Sequence, residues 1–176
     1  MPEVAPHPSP DVDRDPIHRD PSAWGEMLAG VYREIGERAM RDLPIFNDAL
    51  GVEAVGFRCF DRVIVGIMIT PWFMNVIATV EECSPYRSGA TQRLVFPAGE
   101  IEFTISDVPP AGWIASCSLF SPMFQFDDMA AARATAEAAI TALMTPSDNR
   151  EEIKAADTST IDRRNFLRGV LTERPA

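Results

Sequence analysis

Apolar positions along this chain change period twice, from helical spacing to strand spacing and back. Trp24, Leu28, Val31, Ile35 and Ala39 follow one another at steps of four, three, four and four, which is one face of a helix. Asp20-Pro21 starts this helix well: aspartate accepts the free amide bonds of an N-terminus, and proline fits the first helical position. Glu34–Arg38 and Glu37–Arg41 pair on its solvent side, and Leu43-Pro44 ends it. From there the spacing becomes two. Val55, Phe57 and Cys59 alternate with Ala54, Gly56 and Arg58, and Asp61-Arg62 turns the chain into Val63–Ile69. That run is apolar at every position, so it predicts a central strand covered on both faces. Val76–Val80 reads as a further strand. Leu94-Val95-Phe96, the turn Pro97-Ala98-Gly99 and Glu100–Ile105 read as a hairpin with one wet face, and Trp113–Phe120 as the last strand. Helical spacing returns after Asp127-Asp128, with Met129, Ala132, Ala136, Ile140 and Leu143 as the buried stripe and Thr145-Pro146 as the stop. Eight alanines between Ala130 and Ala142 let this helix lie close to what it covers. The pattern predicts an α+β fold: a single domain, mainly antiparallel β-sheet, with an N-terminal and a C-terminal helix packed on one face.

The flanks differ in composition. Residues 1–21 carry six prolines, five acids and two arginines and predict a disordered tail. Residues 22–145 form the folded body, and 146–176 predict a flexible C-terminal tail. The chain has 26 acidic and 16 basic residues, a net charge of -10. About -3 of this lies on 1–21 and none on 145–176, so the body is acidic in its own right. Nucleic acid and anionic membrane surfaces are therefore unfavourable partners. Val63–Ile69, the longest apolar run, is far below the ~20 residues of a membrane span. The N-terminus has neither the basic nor the apolar region of a secretory signal, and three cysteines at gaps of 24 and 34 residues make no disulfide framework. A cytoplasmic protein is the expectation.

Candidate chemistry is sparse. Both histidines, His7 and His18, lie in the first tail, so Ser116, Ser118 and Ser121 have no histidine partner in the body. Cys59, Cys83 and Cys117 lack the short Cys-x-x-Cys spacing of a zinc site. No catalytic residue, metal or cofactor is expected. Two clusters draw notice instead. Thr70-Pro71-Trp72-Phe73-Met74-Asn75 follows a strand, and Cys117-Ser118-Leu119-Phe120-Ser121-Pro122-Met123-Phe124-Gln125-Phe126 gathers three phenylalanines and a methionine around a proline. Two readings stand: closure of the core, or an aromatic groove for a partner. A third segment, Ile161–Gly169, carries Arg163-Arg164-Asn165-Phe166-Leu167-Arg168 and resembles a twin-arginine export pattern. It sits near the C-terminus and reaches only Val170-Leu171 before Thr172-Glu173, so it does not direct export.

Asn47–Phe57, Thr70–Asn75, Phe96-Pro97-Ala98-Gly99 and Cys117–Phe124, in this order and spacing, resemble the HybE/HupJ-type [NiFe]-hydrogenase assembly chaperones over about residues 22–145. The resemblance implies a cytoplasmic, non-enzymatic accessory protein that binds immature hydrogenase subunits. Its expected partners are the small-subunit precursor with its twin-arginine signal peptide, the large-subunit precursor, and other maturation proteins. Export would thereby wait for cofactor insertion. Some members of that family carry a rubredoxin-like portion with Cys-x-x-Cys pairs; this chain has no such pair. On this basis Pro71, Trp72, Phe73, Met74, Asn75, Phe96, Cys117, Leu119, Phe120, Pro122, Met123 and Phe124 are the expected client-binding residues. Arg163, Arg164, Phe166 and Leu167 are expected to compete weakly for the same site. The alternative is a redox or metal-delivery protein acting on hydrogenase precursors, which requires the three thiols to converge.

Overall fold

Asp20 caps the first helix, as its sequence predicts. In the computed structural model, which describes residues 19–80 and 87–146, α1 spans Pro21–Ile35 and the Asp20 carboxylate accepts from Ser22 N at 3.1 Å. The buried face holds Trp24, Leu28 and Tyr32, with Gly25 and Ala29 beside them. Small residues and a tyrosine thus extend a stripe that apolar spacing alone places on Val31 and Ile35. From Gly36 to Met40 the helix widens into a π-turn, closed by Arg41 N donating to Gly36 O at 3.0 Å. The extra residue in that turn shifts the phase, so Met40 packs inward and Ala39 is exposed.

Six strands follow: β1 Glu53–Phe60, β2 Val63–Ile69, β3 Met74–Thr79, β4 Thr91–Phe96, β5 Gly99–Val108 and β6 Gly112–Phe120. All pairings are antiparallel, in the order β1-β2-β3-β6-β5-β4. Two hairpin meanders thus join through β3 and β6. The last helix, α2, spans Met129–Leu143 with Asp128 accepting from Ala131 N at 2.8 Å.

The antiparallel sheet and two helices match expectation, but the placement of the helices does not. They cover opposite faces. Trp24, Leu28 and Tyr32 of α1 pack with Ile64, Met68, Ile77 and Ile114. Ala132, Ala136, Ile140 and Leu143 of α2 pack with Val63, Val65, Ile67, Val76, Phe103 and Cys117. The physical reason is the doubly apolar β2, buried at all seven positions, which one helix layer cannot cover. The sheet also curls around the α2 core. Flat strands ~4.8 Å apart would hold the two edges ~24 Å from each other, yet the rings of Phe60 in β1 and Phe96 in β4 lie 5.3 Å apart. α2 closes the mouth of the curl, with Ile140 against Gly56 of β1 and Leu143 O accepting from Ala98 N at 3.2 Å. The outer face of β4 and β5 stays wet, where Arg93 reaches Glu100 and Glu102 at 3.5 and 3.3 Å. No described helix is long and apolar enough to cross a membrane.

Glu53 and Arg133 pin α2 to the start of β1 through two bonds of 2.7 and 2.8 Å. The hydrogen bonds from Arg133, first, and its positive charge hold the Glu53 carboxyl below its ordinary value of 4.5. A folded-state value below the unfolded one gives stability that is present at neutral pH and lost as pH falls through the folded value. Both side chains remain partly exposed, 47% for Arg133 and 29% for Glu53, so solvent screening keeps the contribution small. Melting temperatures between pH 7 and pH 3 should therefore fall slightly less steeply for Glu53→Gln than for the parent chain. Parallel profiles would remove the pair from the acid response.

Candidate functional site

Strand direction decides which loops meet. β1, β3 and β5 run one way and β2, β4 and β6 the other. The loop before β1, the β2–β3 turn, the β4–β5 turn and the exit from β6 therefore share one end of the sheet. Asn47–Val52, Thr70–Phe73 and Phe120–Phe124, far apart in the chain, come together there, while the curl sets Phe96–Gly99 against Phe60 and the far end of α2.

Asn47 holds this end together. Its Nδ2 donates to Met123 O at 3.0 Å and to Phe126 O at 2.9 Å, and its Oδ1 accepts from Ala49 N at 3.0 Å. Its backbone N–H donates to Pro71 O at 2.9 Å. Thr70 closes the β2–β3 turn: Thr70 N donates to Phe73 O at 2.8 Å, and Thr70 Oγ1 accepts from Phe73 N at 2.9 Å. The Trp72 indole then stacks on Phe46, with ring centroids 6.0 Å apart and planes 23° apart, and meets Phe73 edge-on. A Cβ on Gly36 would lie 3.2 Å from the Trp72 ring, so the π-turn supplies the small residue this approach needs. Tyr32 meets Phe73 edge-on at 5.3 Å. Burial pushes its hydroxyl up to about 12, so it stays protonated and neutral.

The expected client-binding residues separate into two groups. Pro71, Trp72, Met74, Phe96, Cys117 and Met123 are buried, Met74 and Met123 completely. These six are core in the free chain. Pleating also divides the cluster, because Met74, Phe96, Cys117 and Met123 enter the α2 core while Trp72 packs under α1. Phe73, Asn75, Leu119 and Phe120 are half-buried, Pro122 is exposed, and Phe124 is 55% exposed. Asn75 sits opposite Ser118 with its Oδ1 buried and unpaired among the described residues.

Leu43 and Ile45, 44% and 39% exposed, were not among the expected site residues. They lie on the loop that Asn47 ties to the Met123–Phe126 segment. Their signal in the sequence is the run Leu43-Pro44-Ile45-Phe46, apolar but outside any periodic element. Exposed carboxylates flank the three apolar side chains: Asp42 and Asp48 on one loop, Asp127 on the other. Two loops tied by Asn47 thus carry exposed apolar side chains with more carboxylates than cations beside them in the chain, a set suited to a segment that is itself apolar and basic.

Cys59 is exposed on the α1 side of the sheet, opposite Ile64, while Cys117 is buried on the α2 side, opposite Val76. These two thiols do not converge. Among the described residues, no three His, Cys, Asp or Glu side chains gather as metal ligands. His7, His18, Cys83, Arg163, Arg164, Phe166 and Leu167 lie outside the described residues.

A family model described as "[NiFe]-hydrogenase assembly, chaperone, HybE" matches residues 23–169. A hydrogenase expression/formation protein, HupJ of Bradyrhizobium diazoefficiens, is 64% identical over 168 residues, covering 94% of this chain and 96% of the relative. A protein named probable rubredoxin HupJ, from Rhodobacter capsulatus, is 35% identical over 133 residues, which are 74% of this chain and 48% of that one. The solution structure of HybE from Escherichia coli superimposes with a TM-score of 0.58 over 81% of this chain and 91% of that one, at 20% identity, so the likeness there is one of fold.

Proposed function

The chain belongs to the HybE family of [NiFe]-hydrogenase assembly chaperones, and from this premise we propose that its loop-bearing sheet end holds immature hydrogenase subunits. The role is one of binding rather than catalysis. The observation that carries the reading is the solvent exposure of Leu43, Ile45 and Phe124 on two loops locked side by side by Asn47. Half-buried Phe73, Leu119 and Phe120 and exposed Pro122 belong to the same proposed surface, and buried Pro71, Trp72, Met74, Phe96, Cys117 and Met123 act in this reading as core.

The client that fits is a small-subunit precursor still carrying its twin-arginine signal peptide. Two guanidinium groups suit the carboxylates of these loops, and the apolar stretch that follows them suits the exposed apolar side chains. Each client Phe or Leu buried there contributes ~1.5–3 kcal/mol before ordering costs. The large-subunit precursor is the second client of this reading, and export then waits in the cytoplasm for cofactor insertion. Phe124→Asp should weaken capture of the precursors by the full chain roughly 10- to 100-fold, the equivalent of losing one such contact. Because Phe124 is exposed, the melting temperature should move by no more than about 2 °C. Capture at the parent level, or loss of capture only together with unfolding, would refute the assignment.

A further inference from the structure

We propose that, in the absence of a client, this chain's own segment Ile161–Leu171 covers the platform of Leu43, Ile45 and Phe124. The consequence drawn, competition with the client, rests on the reading of this end as the client surface. The contact itself rests on four observations. Leu43, Ile45 and Phe124 are apolar and exposed, and the exposed charged residues beside them in the chain are Asp42, Asp48, Asp127 and Asp128 against Arg41. Ile161–Leu171 has the complementary chemistry: Arg163, Arg164 and Arg168 accompany Ile161, Phe166, Leu167, Val170 and Leu171.

The other two observations are position and extent. Gly51 N donates to Met129 Sδ at 3.2 Å where α2 starts beside the platform loops, and Leu143 O accepts from Ala98 N at the other end of the helix, so the chain leaves α2 about 21 Å, one helix length, from the platform. Sixteen residues separate Pro146 from Arg163. A flexible segment of that length would have a root-mean-square span of about 22 Å, close to the ~21 Å length of α2. The family match runs on to residue 169, so most of the segment belongs to the same matched stretch as the folded body. Tethering at this distance gives an effective concentration near the millimolar range. A segment of only millimolar intrinsic affinity would then cover the platform about half of the time. Apolar contact by Phe166 and Leu167 supplies most of the attraction, since arginine–aspartate pairs at an exposed border contribute little each.

The test uses the full chain carrying a photo-crosslinking phenylalanine analogue at position 166. Irradiation should join it to peptides from residues 41–49 or 121–127, with a yield that does not change as the protein is diluted. Arg163→Glu with Arg164→Glu should lower that yield on the order of threefold, and added small-subunit precursor should lower it further. Crosslinks to other parts of the body, no crosslinks, or a yield that vanishes on dilution (the mark of a second copy) would overturn the proposal. The client reading is separable. Crosslinking without precursor capture defeats competition and leaves the platform without a client. Capture without crosslinking defeats the tail contact alone.

Discussion

Gly66→Ala is expected to lower the unfolding free energy by about 3 kcal/mol, at the upper end of what overpacking costs, and the melting temperature by roughly 10 °C. A Cβ at position 66 would lie 2.4 Å from both Cγ and Cδ2 of Phe57. The ring has no retreat. On its other side a Cβ on Gly25 would lie 2.8 Å from it, and Trp24 meets it edge-on at 5.6 Å. Phe57 is sent there by a bulge: Gly56 has φ +65°, and the register of β1 against β2 shifts between Val55 and Arg58. One ring is thus wedged between helix and sheet, with glycine on both sides. Denaturant unfolding of Gly66→Ala, Phe57→Leu and the double variant checks this. The double variant should be less destabilised than the sum of the singles by at least ~1 kcal/mol. Additive losses would mean that the ring does not wedge the layers.

The second large effect is expected at Asn47. Alanine there removes both donors to Met123 O and Phe126 O and the acceptor for Ala49 N, for a loss of about 2–4 kcal/mol. Asn47→Asp is the sharper probe because its shape is the same. It keeps the acceptor but turns a carboxylate oxygen toward two carbonyl oxygens, so at pH 7 it should destabilise at least as much as alanine. Acidification should recover part of the loss, since a protonated carboxyl donates one bond. Hydrogen exchange should accelerate first in residues 121–127, and precursor capture should fall even where the fold persists. If Asn47→Asp melts with the parent chain at pH 7, the side chain does not clamp the two loops.

Much of the local structure follows from the order of residues. Asp20-Pro21 and Asp128 start their helices, Pro97-Ala98 turns the β4–β5 hairpin, and Glu100–Ile105 alternates as a strand with one wet face. These features depend on neighbours within a few positions, where capping, turn geometry and pleat act directly. The family resemblance of the Thr70–Asn75 and Cys117–Phe124 segments is likewise a property of sequence and agrees with the match over residues 23–169. Even the double covering of the sheet is implied by Val63–Ile69, which has no polar side; the expectation of one helical face overlooked it.

What chain order leaves open is which distant surfaces meet. A run such as Trp72-Phe73-Met74 is equally apolar whether it closes a core or lines a groove. Burial is decided by the pairing of β3 with β6, some forty residues on, and by the curl that brings Phe60 to Phe96. Those non-local contacts sink Trp72, Met74 and Met123 and leave Phe124, Leu43 and Ile45 in solvent. Asn47 shows the same division: its sequence neighbours suggest only a turn, while its carbonyl partners lie 76 and 79 residues away. Short-range preference determines the elements and their apolar faces, whereas strand order and curvature determine which apolar side chains find partners, because only the assembled sheet brings remote surfaces within contact distance.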